Sequence, residues 1–259
     1  MDLHFSKYQG AGNDFILIND IEGKFPENDH LLIQKMCDRK FGIGADGLML
    51  LRKSKTNDFK MIYFNSDGYE GTMCGNGGRC LVSFSVDSGY LKKRDKIKFD
   101  AIDGEHEGKI HENGIISIKM QNVDRVLQAG NGYRVETGST HHVEYVDNLV
   151  DMDVYRHGKT IREGSLYAPA GCNVNFIQPD KQGIIHIRTY ERGVENETLS
   201  CGTGSVASAI VEHFRGNQRA EYFIKAKGGN LTISFKEVRG IYKNIWLKGP
   251  ATFVFKGVW

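Results

Sequence analysis

The chain has 259 residues, 40% of them hydrophobic and 25% charged, and a formal net charge of only +2. That length and composition fit an ordinary globular protein of one or two domains, and the near balance of charge argues against a nucleic-acid partner. No apolar run nears membrane-spanning length and no basic leader with an apolar core opens the chain, so no membrane partner is expected and a cytoplasmic location is.

Taken in chain order, apolar patterning predicts strands near residues 3–8 and 15–19, a helix near 29–37, and strands near 47–52 and 59–65. A helix near 76–88 and three strands ending about residue 119 complete the first half. The list then repeats: strands near 133–137 and 142–146, a helix within 150–162, strands near 173–178 and 184–190, and a helix near 203–214. Strands near 221–226, 230–235, 245–248 and 252–255 close the chain.

This order predicts an α/β (α+β) fold of two pseudo-symmetric domains, residues 1–125 and 126–259, divided in a turn-rich stretch within 121–132. The second helix of each half is apolar on several faces (Leu81, Val82 and Phe84; Val206, Ile210 and Val211), which predicts a helix wrapped by a curved mixed β-sheet or barrel. Its N-terminus would then be held rigidly, with an active site in the cleft between the halves. Gly42-Ile43-Gly44-Ala45-Asp46-Gly47 matches a dinucleotide fingerprint in form, but Leu48-Met49-Leu50-Leu51 after it reads as a strand where that fingerprint needs a helix. A structural turn is expected there.

Five cysteines (Cys37, Cys74, Cys80, Cys172, Cys201) are odd in number and lack close C-x-x-C pairs, so reduced thiols are expected rather than disulfides or a metal site. Two of them stand apart. Met73-Cys74-Gly75-Asn76-Gly77-Gly78 and Ser200-Cys201-Gly202-Thr203-Gly204-Ser205 are the same device 127 positions apart, a cysteine before a glycine-rich turn into a helix. A thiol placed there sits in the positive end of the helix dipole, beside N–H groups without intrahelical partners, and loses its proton easily.

Opposed thiols of this kind suit inversion of an amino acid α-carbon. One sulfur, as thiolate, removes the α-proton while the other, as thiol, delivers a proton to the opposite face, and no cofactor is required. Helix N-termini supply N–H groups for the charge that spreads into the carboxylate. Glu191 and His141 are candidates for an acid–base group that sets the pair.

The motifs are similar to those of the diaminopimelate epimerases, a family of pyridoxal-independent two-cysteine enzymes. The resemblance runs through Gly10-Ala11-Gly12-Asn13-Asp14-Phe15, the segment 38–47, Asn65-Ser66-Asp67-Gly68, the segment 73–80, Asn173-Val174-Asn175-Phe176, Tyr190-Glu191-Arg192-Gly193 and Cys201-Gly202-Thr203-Gly204. It implies that Cys74 and Cys201 are the acid–base groups, that the backbone at Gly75, Asn76, Gly202 and Thr203 holds the reacting carboxylate, and that Asn13, Asn65, Asn173, Glu191 and Arg192 bind the substrate, mainly its distal end. A role in lysine and peptidoglycan-precursor synthesis and a homodimer are implied in the same way. One departure stands out: Gly138-Ser139-Thr140-His141 occupies the place of the family's usual Gly-Asn-Pro-His. The alternatives are a racemase of another amino acid such as histidine, a thiol redox sensor in which Cys74 and Cys201 form a disulfide, and a non-catalytic binding protein.

Overall fold

Capping side chains and apolar runs set the elements of the computed structural model, which describes residues 2–259. In chain order these are β1 (His4–Gly10), β2 (Asn13–Asn19), α1 (His30–Cys37), β3 (Gly47–Arg52), β4 (Phe59–Asn65), α2 (Gly75–Asp87), β5 (Ile97–Ala101), β6 (Gly104–Ile110) and β7 (Ile115–Lys119). The second series is β8 (Val126–Ala129), β9 (Gly132–Glu136), β10 (Thr140–Tyr145), α3 (Val154–Glu163), β11 (Asn173–Pro179), β12 (Ile185–Glu191), β13 (Asn196–Thr198), α4 (Gly202–Phe214), β14 (Tyr222–Ala226), β15 (Gly229–Val238), β16 (Ile241–Pro250) and β17 (Thr252–Val258). Asp29 starts α1 by accepting the Leu32 N–H at 3.0 Å, and Asp153 starts α3 by accepting the Arg156 N–H at 3.0 Å.

The chain divides into two units, the first running to Ile118 and taking in Gly249–Trp259, the second Lys119–Lys248. In the first, strands pair in the order β17-β1-β2-β3-β4-β5-β6-β7, with β2–β3 and β4–β5 parallel and the rest antiparallel. The second unit has the order β8-β9-β10-β11-β12-β14-β15-β16, with β10–β11 and β12–β14 parallel and the rest antiparallel. The two lists match strand for strand, so the duplication predicted from the cysteine motifs is a duplication of topology. Strand β13 adds to the end of β12.

The expected division at residues 125 and 126 differs from this in a definite way. The edge strand of the second unit, β8, comes from the segment just before β9, whereas the matching strand of the first unit, β17, is supplied by the end of the chain. Residues 128 and 129, read from sequence as part of a linker, are paired strand, and Gly130 and Asn131 form the hairpin turn that follows.

Each unit is a curved sheet around one buried helix. α2 packs against β1, β2, β3 and β6, and α4 against β8 to β12, β14 and β15. In the first unit both faces of β2 and β3 are covered, which explains the unbroken apolar run at 48–51. Ile16, Ile18, Leu48 and Leu50 pack with Ile33 and Met36 of α1, while Phe15 and Met49 face α2 at Gly77. In the second unit Val174 and Phe176 pack with Val154 of α3 and Tyr190 on the corresponding outer face.

Gly42–Gly47 follows α1 and leads into β3, with N–H groups of residues 42 to 45 bonded to carbonyls of 36 to 38. It is the structural turn expected. Glycine is required at 42, because a Cβ there would run into the Lys35 carbonyl.

Candidate active site

α2 and α4 are the same length, 13 residues, and each is preceded by its cysteine in extended conformation at the N-cap. Gly75 and Asn76 therefore open α2, and Gly202 and Thr203 open α4, at the positions where backbone N–H groups precede the first intrahelical bond.

In the first unit the Cys74 sulfur itself acts as the cap, accepting the Gly77 N–H at 3.5 Å, and lies 3.6 Å from Asn13 Oδ1. The Asn13 amide has a fixed sense. Its Nδ2 donates to Asp46 at 2.6 Å, and its Oδ1 accepts from Asn76 Nδ2 at 3.3 Å. Asp46 in turn is held by Arg39 at 2.7 Å, which also bonds Asp14 at 2.5 Å. Burial acts to raise the Asp14 carboxyl, yet bonds from Arg39 and Lys7 bring it down to about 2. Asn76 Oδ1 receives Arg79 Nη2 at 2.9 Å, so a guanidinium buried inside the unit anchors the first turn of α2. Asn65, exposed at the end of β4, pairs with Gly47, the neighbour of Asp46, and its backbone N–H bonds the Tyr69 carbonyl.

In the second unit Cys201 is 7% exposed, and its sulfur is 3.3 Å from the Thr203 hydroxyl. Thr203 Oγ1 is 2.9 Å from His141 Nε2, and Ser139 Oγ is 3.0 Å from the same nitrogen. Asn173 Nδ2 donates to Ser139 Oγ at 3.2 Å, and Asn173 Oδ1 accepts the Arg192 backbone N–H at 2.8 Å. Ser139, the residue that departs from the family pattern, is thus a member of this network. Glu191, at the end of β12, accepts the Thr198 hydroxyl at 2.8 Å, and Arg192 is exposed beside it. His141 is fully buried, and desolvation, with the Arg192 charge, pushes its pKa down to about 3.

The first unit thus brings Asn13, Cys74, Gly75 and Asn76 together, and the second does the same for Cys201, Gly202, Thr203, His141, Asn173 and Arg192. Cys37, Cys80 and Cys172 cap no helix N-terminus, and burial pushes each of these thiols up to about 12. Among the described residues no group of three His, Cys, Asp or Glu side chains is arranged to hold a metal. Sequence reasoning gave no role to Arg79, Asp46 or Asn175, although each lies inside a quoted motif. A charged residue in an otherwise apolar helix was the available signal for Arg79.

One substitution probes how tightly this region is packed. A methyl group on Gly204, in the first turn of α4, would run into the Asn175 carboxamide, which is itself fully buried and hydrogen-bonded. Gly204→Ala is expected to destabilise the fold by about 1–3 kcal/mol, overpacking outweighing alanine's better helix propensity, and thermal denaturation reads the loss.

A family profile described as diaminopimelate epimerase matches residues 5–126 and 133–254. The chain is 51% identical over 251 residues to a diaminopimelate epimerase of Flavobacterium psychrophilum, covering 96% of this chain and 97% of that protein. It is 42% identical to one of Chlorobaculum tepidum, covering 96% and 98%. Among solved structures, a phenazine biosynthesis protein of the PhzF family from Bacillus anthracis shares the fold at a TM-score of 0.78 and 17% identity, covering 100% of this chain and 99% of that one. A hydroxyproline epimerase from Agrobacterium vitis does so at 0.69 and 13%, covering 99% and 92%.

Proposed function

Because the chain belongs to the diaminopimelate epimerase family, we propose that it interconverts LL- and meso-diaminopimelate by inverting one α-carbon with two cysteine sulfurs and no cofactor. The observation that carries this reading is the pair of cysteines, each at the N-cap of a buried helix in topologically matching units.

The chemistry follows from what such a cap provides. The α C–H bond breaks as one sulfur, in its thiolate form, takes the proton, and the electron pair spreads into the α-carboxylate. The second sulfur gives its proton to the opposite face, so an S–H bond breaks as the new C–H bond forms. Atoms and charge balance, and the two sulfurs have exchanged protonation states, which readies the enzyme for the reverse direction. N–H groups at Gly75, Asn76, Gly202 and Thr203 would stabilise the carboxylate as its charge grows.

Recognition of the distal end falls to Asn13, Asn65, Asn173, Glu191 and Arg192. The Arg192 guanidinium suits a carboxylate through a two-pronged bond, and Glu191 suits an ammonium. All five cysteines are free thiols, which supports a reducing compartment, and we place the enzyme in the cytoplasm, in lysine and peptidoglycan-precursor synthesis. The homodimer implied by the resemblance belongs to the same proposal.

The test is incubation of the protein with LL-diaminopimelate alone, followed by chiral chromatography. Accumulation of the meso form toward a stable ratio is expected. No conversion of diaminopimelate, combined with racemisation of histidine, would overturn the substrate assignment.

A further inference from the structure

A polar chain buried in the second unit has a direction that its geometry fixes. Asn175 is fully buried on β11, and its Nδ2 donates to the His142 carbonyl at 2.9 Å, an oxygen that can only accept. The other end of the amide, Oδ1, accepts the Thr189 hydroxyl at 3.0 Å. The sense of the amide is therefore set by the His142 carbonyl, and the second Nδ2 hydrogen meets His141 Nδ1 at 3.0 Å.

A ring nitrogen that accepts a hydrogen bond carries no proton, so the neutral imidazole must hold its proton on Nε2. That proton faces the oxygens of Thr203 at 2.9 Å and Ser139 at 3.0 Å. With its oxygen accepting from the ring, Thr203 has its own hydroxyl hydrogen left for the Cys201 sulfur, 3.3 Å away.

We propose that Asn175 is a positioning residue that locks His141 in the neutral Nε2–H form, so that His141, through Thr203, directs a hydroxyl hydrogen at the Cys201 sulfur and does not serve as a base. The idea rests on the reading of Cys201 as one of the two acid–base sulfurs. A donor aimed at sulfur stabilises thiolate more than thiol, so the chain eases Cys201 toward its charged form without a charged neighbour. A ring protonated on both nitrogens would set Nδ1–H against the Asn175 N–H. Burial opposes that state as well, in keeping with the lowered His141 pKa. Gly204 completes the arrangement, since only the absence of a side chain there leaves room for the Asn175 carboxamide.

Two measurements on the full chain test this. Long-range proton–nitrogen correlation spectra of histidine-labelled protein at neutral pH should show His141 neutral, with its proton on Nε2, and Asn175→Asp should move the proton to Nδ1 or leave the ring doubly protonated. In a Cys74→Ala background, alkylation of Cys201 at fixed neutral pH, followed by peptide mass spectrometry, should slow roughly tenfold in Thr203→Val, the effect of a one-unit rise in thiol pKa, and recover in Thr203→Ser. Neither readout requires turnover, so failure of the epimerase reading would show in the chromatographic assay while these results stood. A wild-type His141 with its proton on Nδ1, or Thr203→Val alkylated at the unchanged rate, would overturn the proposal.

Discussion

Cys74→Ala and Cys201→Ala are each expected to lower kcat for epimerisation by about 10³-fold or more, because general acid–base catalysis by a positioned group is typically worth 10²–10⁴ and inversion needs both groups. The fold should survive. Cys74 is only partly buried, and Cys201, though buried, is a small side chain whose sulfur meets the Thr203 hydroxyl, so truncation to alanine removes a single atom, and a stability loss of about 1 kcal/mol is expected. The variants should also differ from an ordinary loss of activity. Each retains one sulfur, so each should still exchange the α-proton of a single stereoisomer with solvent while forming no epimer. Wild-type turnover by either alanine variant would mean that the missing sulfur does not carry a proton in the reaction.

Arg79→Met should cost about 2–4 kcal/mol of stability, read as a fall in the denaturation midpoint. Two effects compete at this position. Taking a guanidinium out of water is unfavourable, and among the described residues no carboxylate lies within ion-pair distance of it, so methionine removes a buried charge. The same substitution strips donors from three oxygens: Asn76 Oδ1 at 2.9 Å, the Gly75 carbonyl at 3.3 Å and the Pro250 carbonyl at 3.3 Å. Hydrogen bonds from a charged donor contribute about 1.5–3 kcal/mol each, and the loss of three outweighs the relief of one desolvated cation. Loss of activity should accompany loss of stability, because Arg79 fixes Asn76, Asn76 bonds Asn13, and Asn13 lies against the Cys74 sulfur. An unchanged denaturation midpoint would show that these bonds are replaced without penalty.

Much of this arrangement could be read before any coordinates, for reasons specific to particular residues. The Cys-Gly-x-Gly motifs announced α2 and α4 because a cysteine before close-packed glycines has few uses other than capping a buried helix. The apolar run Leu48-Met49-Leu50-Leu51 announced a strand, and in the structure that strand has α2 on one side and α1 on the other. Strand β8 was not legible. Four residues are too few to show a period of two, and the hairpin turn at Gly130 and Asn131 looks from sequence like any loop. The return of β17 to the first unit was hidden for a different reason, since strand pairing across most of the chain leaves no local signature.

Among the site residues, types chosen for chemistry were legible and types chosen for orientation were not. Cys74, Cys201 and His141 carry recognisable reactive groups. Asn175 and Asp46 act by fixing which way a neighbouring group points, Asn175 on His141 and Asp46 on Asn13, and this appears only when donors and acceptors can be traced atom by atom. His141 shows the difference most clearly. From sequence it is a candidate acid–base group, and the Asn175 amide facing its Nδ1, on which the proposed tautomer rests, shows only in the structure.

The central claim is that two sulfurs, not one, handle the proton. It is tested most directly by incubating wild-type protein with LL-diaminopimelate in deuterium oxide and measuring label in both isomers by mass spectrometry at low conversion. The two-base reaction predicts deuterium at the α-carbon of the meso product from its first appearance, with the recovered LL pool still unlabelled. Label entering the recovered LL pool as fast as it enters the meso product would show one base working on both faces and would contradict the account.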